Sequence, residues 1–153
     1  MDINKIKQLR VATGAGIADC REALTSSDGD LLKAEAYLRA KGIEKADKKA
    51  DREAAQGIIE SYIHIGGKIG VLVEVNCETD FVARTDDFKS LAHEISMQIS
   101  AMNPKNVAEL LTQPYIRDPK INIDALVKGV IAKLGENIKI SRFSRIALNE
   151  QRY

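Results

Sequence analysis

An α+β fold, with an amino-terminal three-helix bundle followed by a small three-stranded antiparallel sheet packed with helices, is predicted by three observations. Apolar residues recur at spacings of three and four as far as Leu38. Between Gly57 and Asn76 the period drops to two on either side of a Gly66-Gly67 pair, the pattern of a hairpin. Helical spacing returns after Asp86, and the closing run Asn137 to Leu148 is strand-like again.

In chain order, Asp2 can cap a first helix with Ile3, Ile6 and Leu9 on one face, broken at Thr13-Gly14. Ile17, Cys20 and Leu24 form a second stripe. After a turn at Ser26 to Gly29, Asp30 can cap a third helix with Leu31, Ala34 and Leu38 inward and Gly42 as its stop. Ile43 to Gln56 is charged, Ala-rich and without an apolar stripe, so it reads as a solvated helix or linker. The expected ranges are therefore 1–43 for the bundle, 44–56 for a charged linker and 57–153 for an α+β core. A bundle of this size buries little area, which suits a recognition module attached to something larger.

In the second part, strands Gly57 to Ile65 and Lys68 to Asn76 are expected to turn Ile59, Ile63, Ile65, Ile69, Val71, Val73 and Val75 to one face, with Gly66-Gly67 as a two-residue turn. Asp86 or Asp87 can cap a long helix carrying Phe88, Leu91, Ile95, Ile99 and Met102 inward, ended near Pro104. A short helix over Val107 to Leu111 and a loop with Pro114 and Pro119 lead to a helix with Ile123, Val127, Val130, Ile131 and Leu134 inward and Gly135 as its stop. In the last strand Ile138 and Ile140 are in phase but Phe143 is not, which a bulge near Ser141 would explain.

Composition removes several function classes. The apolar runs Ile69 to Val73 and Val130 to Ala132 fall far short of the ~20 residues a bilayer helix needs, and the amino terminus carries no apolar signal segment. Cys20 and Cys77 stand far apart with no CxxC pairing, so neither a disulfide framework nor a zinc site is expected, and a reducing compartment is. With 23 basic and 22 acidic residues, no broad positive field points to nucleic acid as the main partner.

Candidate sites each carry a plain alternative. Thr13-Gly14-Ala15-Gly16 follows a helix instead of a strand and lacks both the third glycine of GxGxxG and a GK[ST], so a helix connection is favoured over a phosphate loop. His64 and His93 have no spaced metal-ligand partners and read as surface histidines, and no metal or cofactor is expected. Cys77 lacks a general base nearby in sequence and reads as a small buried residue more readily than as a nucleophile. No catalytic constellation emerges. Thr79, Asp80, Phe81 and Val82 admit two readings: a capped turn whose Phe81 and Val82 fill the core, or a protruding acid-aromatic pair.

The run Asn76-Cys77-Glu78-Thr79-Asp80-Phe81-Val82-Ala83-Arg84, together with TGAGIADCREAL at Thr13 to Leu24 and GENI at Gly135 to Ile138, resembles the translation elongation factor Ts family. The likeness spans Leu9 to Gly42, Ser61 to Met102 and Gln113 to Leu148. It implies a guanine nucleotide exchange factor for elongation factor Tu, without covalent chemistry and without nucleotide binding of its own. In that family the bundle looks like a ubiquitin-associated domain and docks on the G domain of elongation factor Tu, which would place Ile17, Ala18 and Arg21 at that contact. The TDFV motif reaches the magnesium and nucleotide site of the partner, a role that would fall to Thr79, Asp80, Phe81 and Val82. A bacterial cytoplasm or, for an organelle-encoded protein, a plastid stroma is the implied location.

Three departures qualify the likeness. The family usually has two methionines where Ile17 and Ala18 stand, so Ala18 offers less contact area. Family members carry a long helical excursion around Ala108 to Gln113 that this chain omits. Long members have a second core half and short ones pair two chains, which implies a homodimer here; Ser144 stands where some short relatives have cysteine, so the dimer would be noncovalent. Two rivals stand beside this reading: a non-catalytic binding adapter for a ubiquitin-like or ribosomal partner, and a small enzyme using Cys77.

Overall fold

The computed structural model describes residues 2–150, and Met1 and residues 151–153, the ends of the expected ranges 1–43 and 57–153, lie outside the described residues. Helices α1 (Ile3–Thr13), α2 (Ile17–Ser26) and α3 (Leu31–Asp47) form the amino-terminal bundle. Strands β1 (Gln56–Ile63) and β2 (Ile69–Cys77) follow, then α4 (Asp80–Ala83), α5 (Asp86–Met102) and α6 (Val107–Thr112). The chain ends in β3 (Pro114–Tyr115), β4 (Asp118–Asn122), α7 (Ile123–Leu134) and β5 (Ile138–Ala147).

The bundle starts where its caps are. The Asp2 and Asp30 carboxylates accept from the backbone N–H groups of Asn4 and Lys33, and Gly14 closes α1. Leu9, Cys20, Ala23, Leu24, Ala34 and Leu38 form its core. Ile3 and Ile17, the first members of their apolar stripes, are exposed. A correction concerns Gly42, which does not stop α3. The helix continues to Asp47, and Gly42 is buried where α3 crosses α7, so close that a Cβ would stand 3.2 Å from the Cβ of Ala132. Glycine serves helix packing at this position, not termination. Ala46, in the stretch expected to be a linker or solvated helix, is buried in the main core.

That main core lies between one face of the sheet and helices α5 and α7. It gathers Val71, Val73, Val75, Phe88, Leu91, Ile95, Ile99, Ile123, Val127, Ile131, Ile138 and Ile140. The sheet order is β1-β2-β5, antiparallel throughout. Gly66 and Gly67 both take positive φ in the hairpin turn, as expected. The phase expected for β1 is wrong: Ile59 and Ile63, and Ile65 in the turn, are exposed, whereas Ile58 and Tyr62 pack on the core. The register explains it, because Ile58 lies opposite Val75 and Tyr62 opposite Val71, and directly opposed residues share a face. A turn centred on Gly66-Gly67 therefore matches the odd-numbered valines of β2 with even-numbered residues of β1.

In β5 the register steps from Glu74 opposite Arg142 to Val75 opposite Ile140, which leaves Ser141 as the extra residue of the expected bulge. The long helix α5 is capped by the Thr85 hydroxyl, not by Asp86 or Asp87, and Met102, its last residue, is exposed instead of inward. Gly135 ends α7 as expected. The segment around Pro114 and Pro119, expected as loop, is the β3-β4 hairpin. It is organised by the buried Gln98 side chain, which donates to the Pro114 carbonyl at 3.0 Å and accepts from the Ile116 N–H at 3.0 Å. No helix among the described residues is long and apolar enough to cross a membrane.

Candidate functional site

Two surfaces carry the residues singled out in the sequence. The first begins where β2 ends. Cys77 is fully buried and its thiol donates to the Thr79 carbonyl at 3.1 Å. Burial, and after it the Glu136 carboxylate, push the Cys77 thiol above its ordinary pKa, which keeps it protonated and argues against a nucleophile. Thr79 then caps the single turn α4, its hydroxyl accepting from the Val82 N–H at 3.3 Å. Ala83 is buried and Val82 half-buried, so the far side of the turn is held by the core.

Phe81 resolves the two readings of this motif. Its side chain is 83% exposed, so it fills no part of the core, although the capping half of the plain reading is correct. An exposed phenyl ring leaves a large apolar area in water with no compensation from the fold. Beside it Asp80 is exposed and ion-paired to Arg84 one turn on. The result is an acid and an aromatic projecting together from a short, anchored turn.

The anchor comes from a part of the chain that residue spacing did not suggest. The Glu136 carboxylate accepts from the Thr79 N–H at 3.0 Å and from the Thr79 hydroxyl at 2.7 Å. In return, the Glu78 carboxylate accepts from the Asn137 N–H at 2.8 Å and lies 3.6 Å from Arg52. The Asn137 side chain donates to the carbonyls of Ala50 and Arg52 at 3.3 and 2.7 Å, which ties down the chain between α3 and β1. Glu136 and Asn137 belong to the GENI block, to which the sequence alone assigns no role.

The second surface is on the bundle. Ile17 and Arg21, one helical turn apart on α2, line a groove with Ile3, Ile6, Lys7 and Arg10 of α1. Ala18 is exposed on the same helix but does not line that groove. Lys7 and Arg10 were not singled out in the sequence; their spacing of three from each other, on the exposed side of α1, is the signal that marks them.

The glycine loop Thr13 to Gly16 borders a cavity of about 270 Å³ between α2, α3 and α7. Its lysines are already engaged. Lys41 pairs with Asp19 at 3.1 Å and Glu22 at 2.7 Å, Lys45 with Asp19 at 3.2 Å, and Lys133 with Asp87 at 3.1 Å. Hydrogen bonds from Lys41, then Lys45, hold the Asp19 carboxyl below its usual range. The loop joins helices, as expected. His64 and His93 are exposed; His93 lies 3.5 Å from Glu60, and the Tyr62 hydroxyl meets His64 at 3.0 Å. No cluster of three His, Cys, Asp or Glu suited to a metal ion occurs among the described residues.

Comparison with known proteins places the chain among its relatives. The family model described as Elongation factor TS matches residues 78–153, a span that contains both the TDFV turn and Glu136. Elongation factor Ts of Desulfosudis oleivorans is 43% identical, over 95% of this chain and 96% of that protein. Elongation factor Ts of Synechococcus elongatus is 45% identical, over 95% of this chain and 86% of its own, and that of a Synechocystis strain 44%, over 95% and 88%. The alignment with the Desulfosudis protein runs over 190 positions against the 153 residues here, so that relative has segments with no counterpart in this chain. With identity at this level across nearly the full length of both proteins, the chain belongs to the elongation factor Ts family.

Proposed function

We propose that this chain promotes release of GDP from elongation factor Tu, by bringing Asp80 and Phe81 beside the magnesium and nucleotide site of that partner, and so allows GTP to rebind. The observation that carries the proposal is the exposure of Phe81, 83%, on a turn whose other side is fixed in the core. A carboxylate near a bound Mg²⁺ competes for its coordination, and a wedged phenyl ring displaces neighbouring side chains. Metal and phosphates hold each other, so disturbing one weakens the other. By linkage, bound nucleotide weakens the factor to the same extent.

The same reading gives the bundle, residues 1–43, the task of docking on the G domain through Ile17, Ala18 and Arg21, and gives residues 57–153 the task of carrying the TDFV turn. An apolar groove edged by Lys7, Arg10 and Arg21 suits an acidic, apolar partner surface. The factor itself holds no nucleotide and performs no covalent step. Its place of action is that of elongation factor Tu, the bacterial cytoplasm or a plastid stroma.

A noncovalent homodimer belongs to this proposal. Ile59, Ile63, Leu72 and Ile146 are more than half exposed on the sheet face turned away from the core. Packed face to face with a second copy about a two-fold axis, both copies are covered at once. Ser144 lies on that face, opposite Leu72, and supplies no thiol for a cross-link.

GDP release from elongation factor Tu, timed with and without the chain, tests the proposal. Faster release in its presence is expected. Release at the intrinsic rate, with the two proteins still bound to each other, would instead make the chain an adapter.

A further inference from the structure

We propose that Glu136 is a positioning residue for the Asp80-Phe81 pair, its carboxylate gripping Thr79 by two hydrogen bonds so that α4 is presented in one orientation. The consequence for exchange rests on the proposed function; the grip itself does not.

A four-residue helix has no stability of its own, since one turn leaves most of its polar groups without helical partners. Its direction must be imposed from outside. Val82 and Ala83 fix one side by packing, but packing of two small apolar side chains leaves rotation about the Thr79 junction free. Every polar atom of Thr79 is used to remove that freedom. Its N–H and hydroxyl both donate to Glu136, at 3.0 and 2.7 Å, while the hydroxyl accepts from Val82 N–H at 3.3 Å. Its carbonyl accepts the Cys77 thiol at 3.1 Å and the Ala83 N–H at 3.3 Å. Hydrogen bonds to an ionised acceptor are the stronger kind, and two from one carboxylate fix an angle as well as a distance.

The grip is reciprocated next door. Asn137 donates its N–H to Glu78 at 2.8 Å, so residues 78 and 79 are joined to residues 136 and 137 by an acid from each side. Gly135 ends α7 one residue earlier, which places Glu136 at a helix end set by the core helix. The orientation of Phe81 is thereby referred to α7 and β5, not to the loop it sits on.

The test uses the full chain and two readouts. In Glu136→Ala, amide hydrogen exchange at Val82 to Arg84 should quicken about tenfold in the isolated protein while core amides such as Val73 keep their protection. Maximal stimulated GDP release should fall about tenfold, with the half-saturating concentration changed less than about twofold, because a misplaced probe costs rate more than docking. Glu136→Gln should restore both readouts, since the amide oxygen accepts the Thr79 N–H and the amide nitrogen donates to its hydroxyl. If Glu136→Ala fails to fold, Glu136→Asp, whose shorter carboxylate cannot reach both Thr79 groups while the Thr79 cap on Val82 is kept, is read in its place. Unchanged protection at Val82 to Arg84 overturns the proposal, as does a loss spread evenly over the core, or a local loss with release at the full rate. Phe81→Ala run alongside separates the two ideas: full activity there refutes the exchange reading, and the amide readout still decides the grip.

Discussion

Truncating Phe81 to alanine should abolish most stimulated exchange and leave the fold intact, and the structure sets both magnitudes. A fully buried phenylalanine costs about 3–5 kcal/mol when cut to alanine. With 83% of Phe81 exposed, only the covered remainder contributes to the fold, so the cost should stay below about 1 kcal/mol. For a chain of this length that is a fall of about 3 °C or less in Tm. Phe88, wholly buried in the main core, supplies the internal standard: Phe88→Ala should lower Tm by about 10 °C. On the partner the order reverses. A phenyl ring offers about 150–250 Å² of surface, worth about 4–6 kcal/mol if fully covered in the complex. An anchor of this kind typically accounts for 2 kcal/mol or more, about a 30-fold loss in the efficiency of stimulated release. The assay is release of a fluorescent GDP from elongation factor Tu over a concentration series, with thermal unfolding of each variant alone. A Phe81→Ala protein that melts as low as Phe88→Ala, or that exchanges as fast as the unaltered chain, refutes the reasoning.

Other expectations follow from neighbouring features. Asp80→Asn keeps the shape of the turn but removes its charge, so release should slow several-fold while affinity for nucleotide-free elongation factor Tu stays within about twofold; equal acceleration by both proteins across a magnesium titration would exclude competition for the metal. Hydrogen bonds from Lys41 hold the carboxyls of both Asp19 and Glu22 below their ordinary values of 3.8 and 4.5. A depressed carboxyl stabilises the fold at higher pH, so this contribution is complete above 4.5 and fades as pH falls through the lowered values. Urea unfolding between pH 7 and pH 3 should therefore show a shallower acid loss in Asp19→Asn. Leu72→Asp places a charge in the middle of the exposed sheet face and should turn a concentration-dependent dimer into a monomer in sedimentation equilibrium; a strictly monomeric unaltered chain at high micromolar concentration with full activity removes the dimer from the proposal.

What the sequence discloses follows the range of the interactions involved. Caps at Asp2 and Asp30, the glycine turn of the hairpin and the bulge at Ser141 are local devices, so neighbouring residues reveal them. Gly42 misleads because glycine has two opposite uses in helices, and which applies depends on Ala132, far along the chain. The turn is legible but the face of β1 is not, since Ile58 and Ile59 give apolar residues in both phases and only the cross-strand partner decides. The motif residues Thr79 to Val82 stand out by family likeness, but the projection of Phe81 is a property of a single turn, too short for any periodicity to show which side faces water. Glu136 is more hidden still, because it acts 57 positions away from Thr79 and nothing in its own neighbourhood requires a partner.

The continuation of α3 past Gly42 bears on how the two surfaces work together. Leu38 belongs to the bundle core and Ala46 to the main core, eight residues or ~12 Å apart on one helix axis. Asp47 at the far end is pinned to Lys128 of α7 at 2.9 Å. A flexible tether between two contact modules would leave the second to search a volume; a stiff strut sets its local concentration in advance. On the proposed function, docking through the groove of α1 and α2 would therefore bring Phe81 to a predetermined reach, and a partner of different proportions would be refused on length alone.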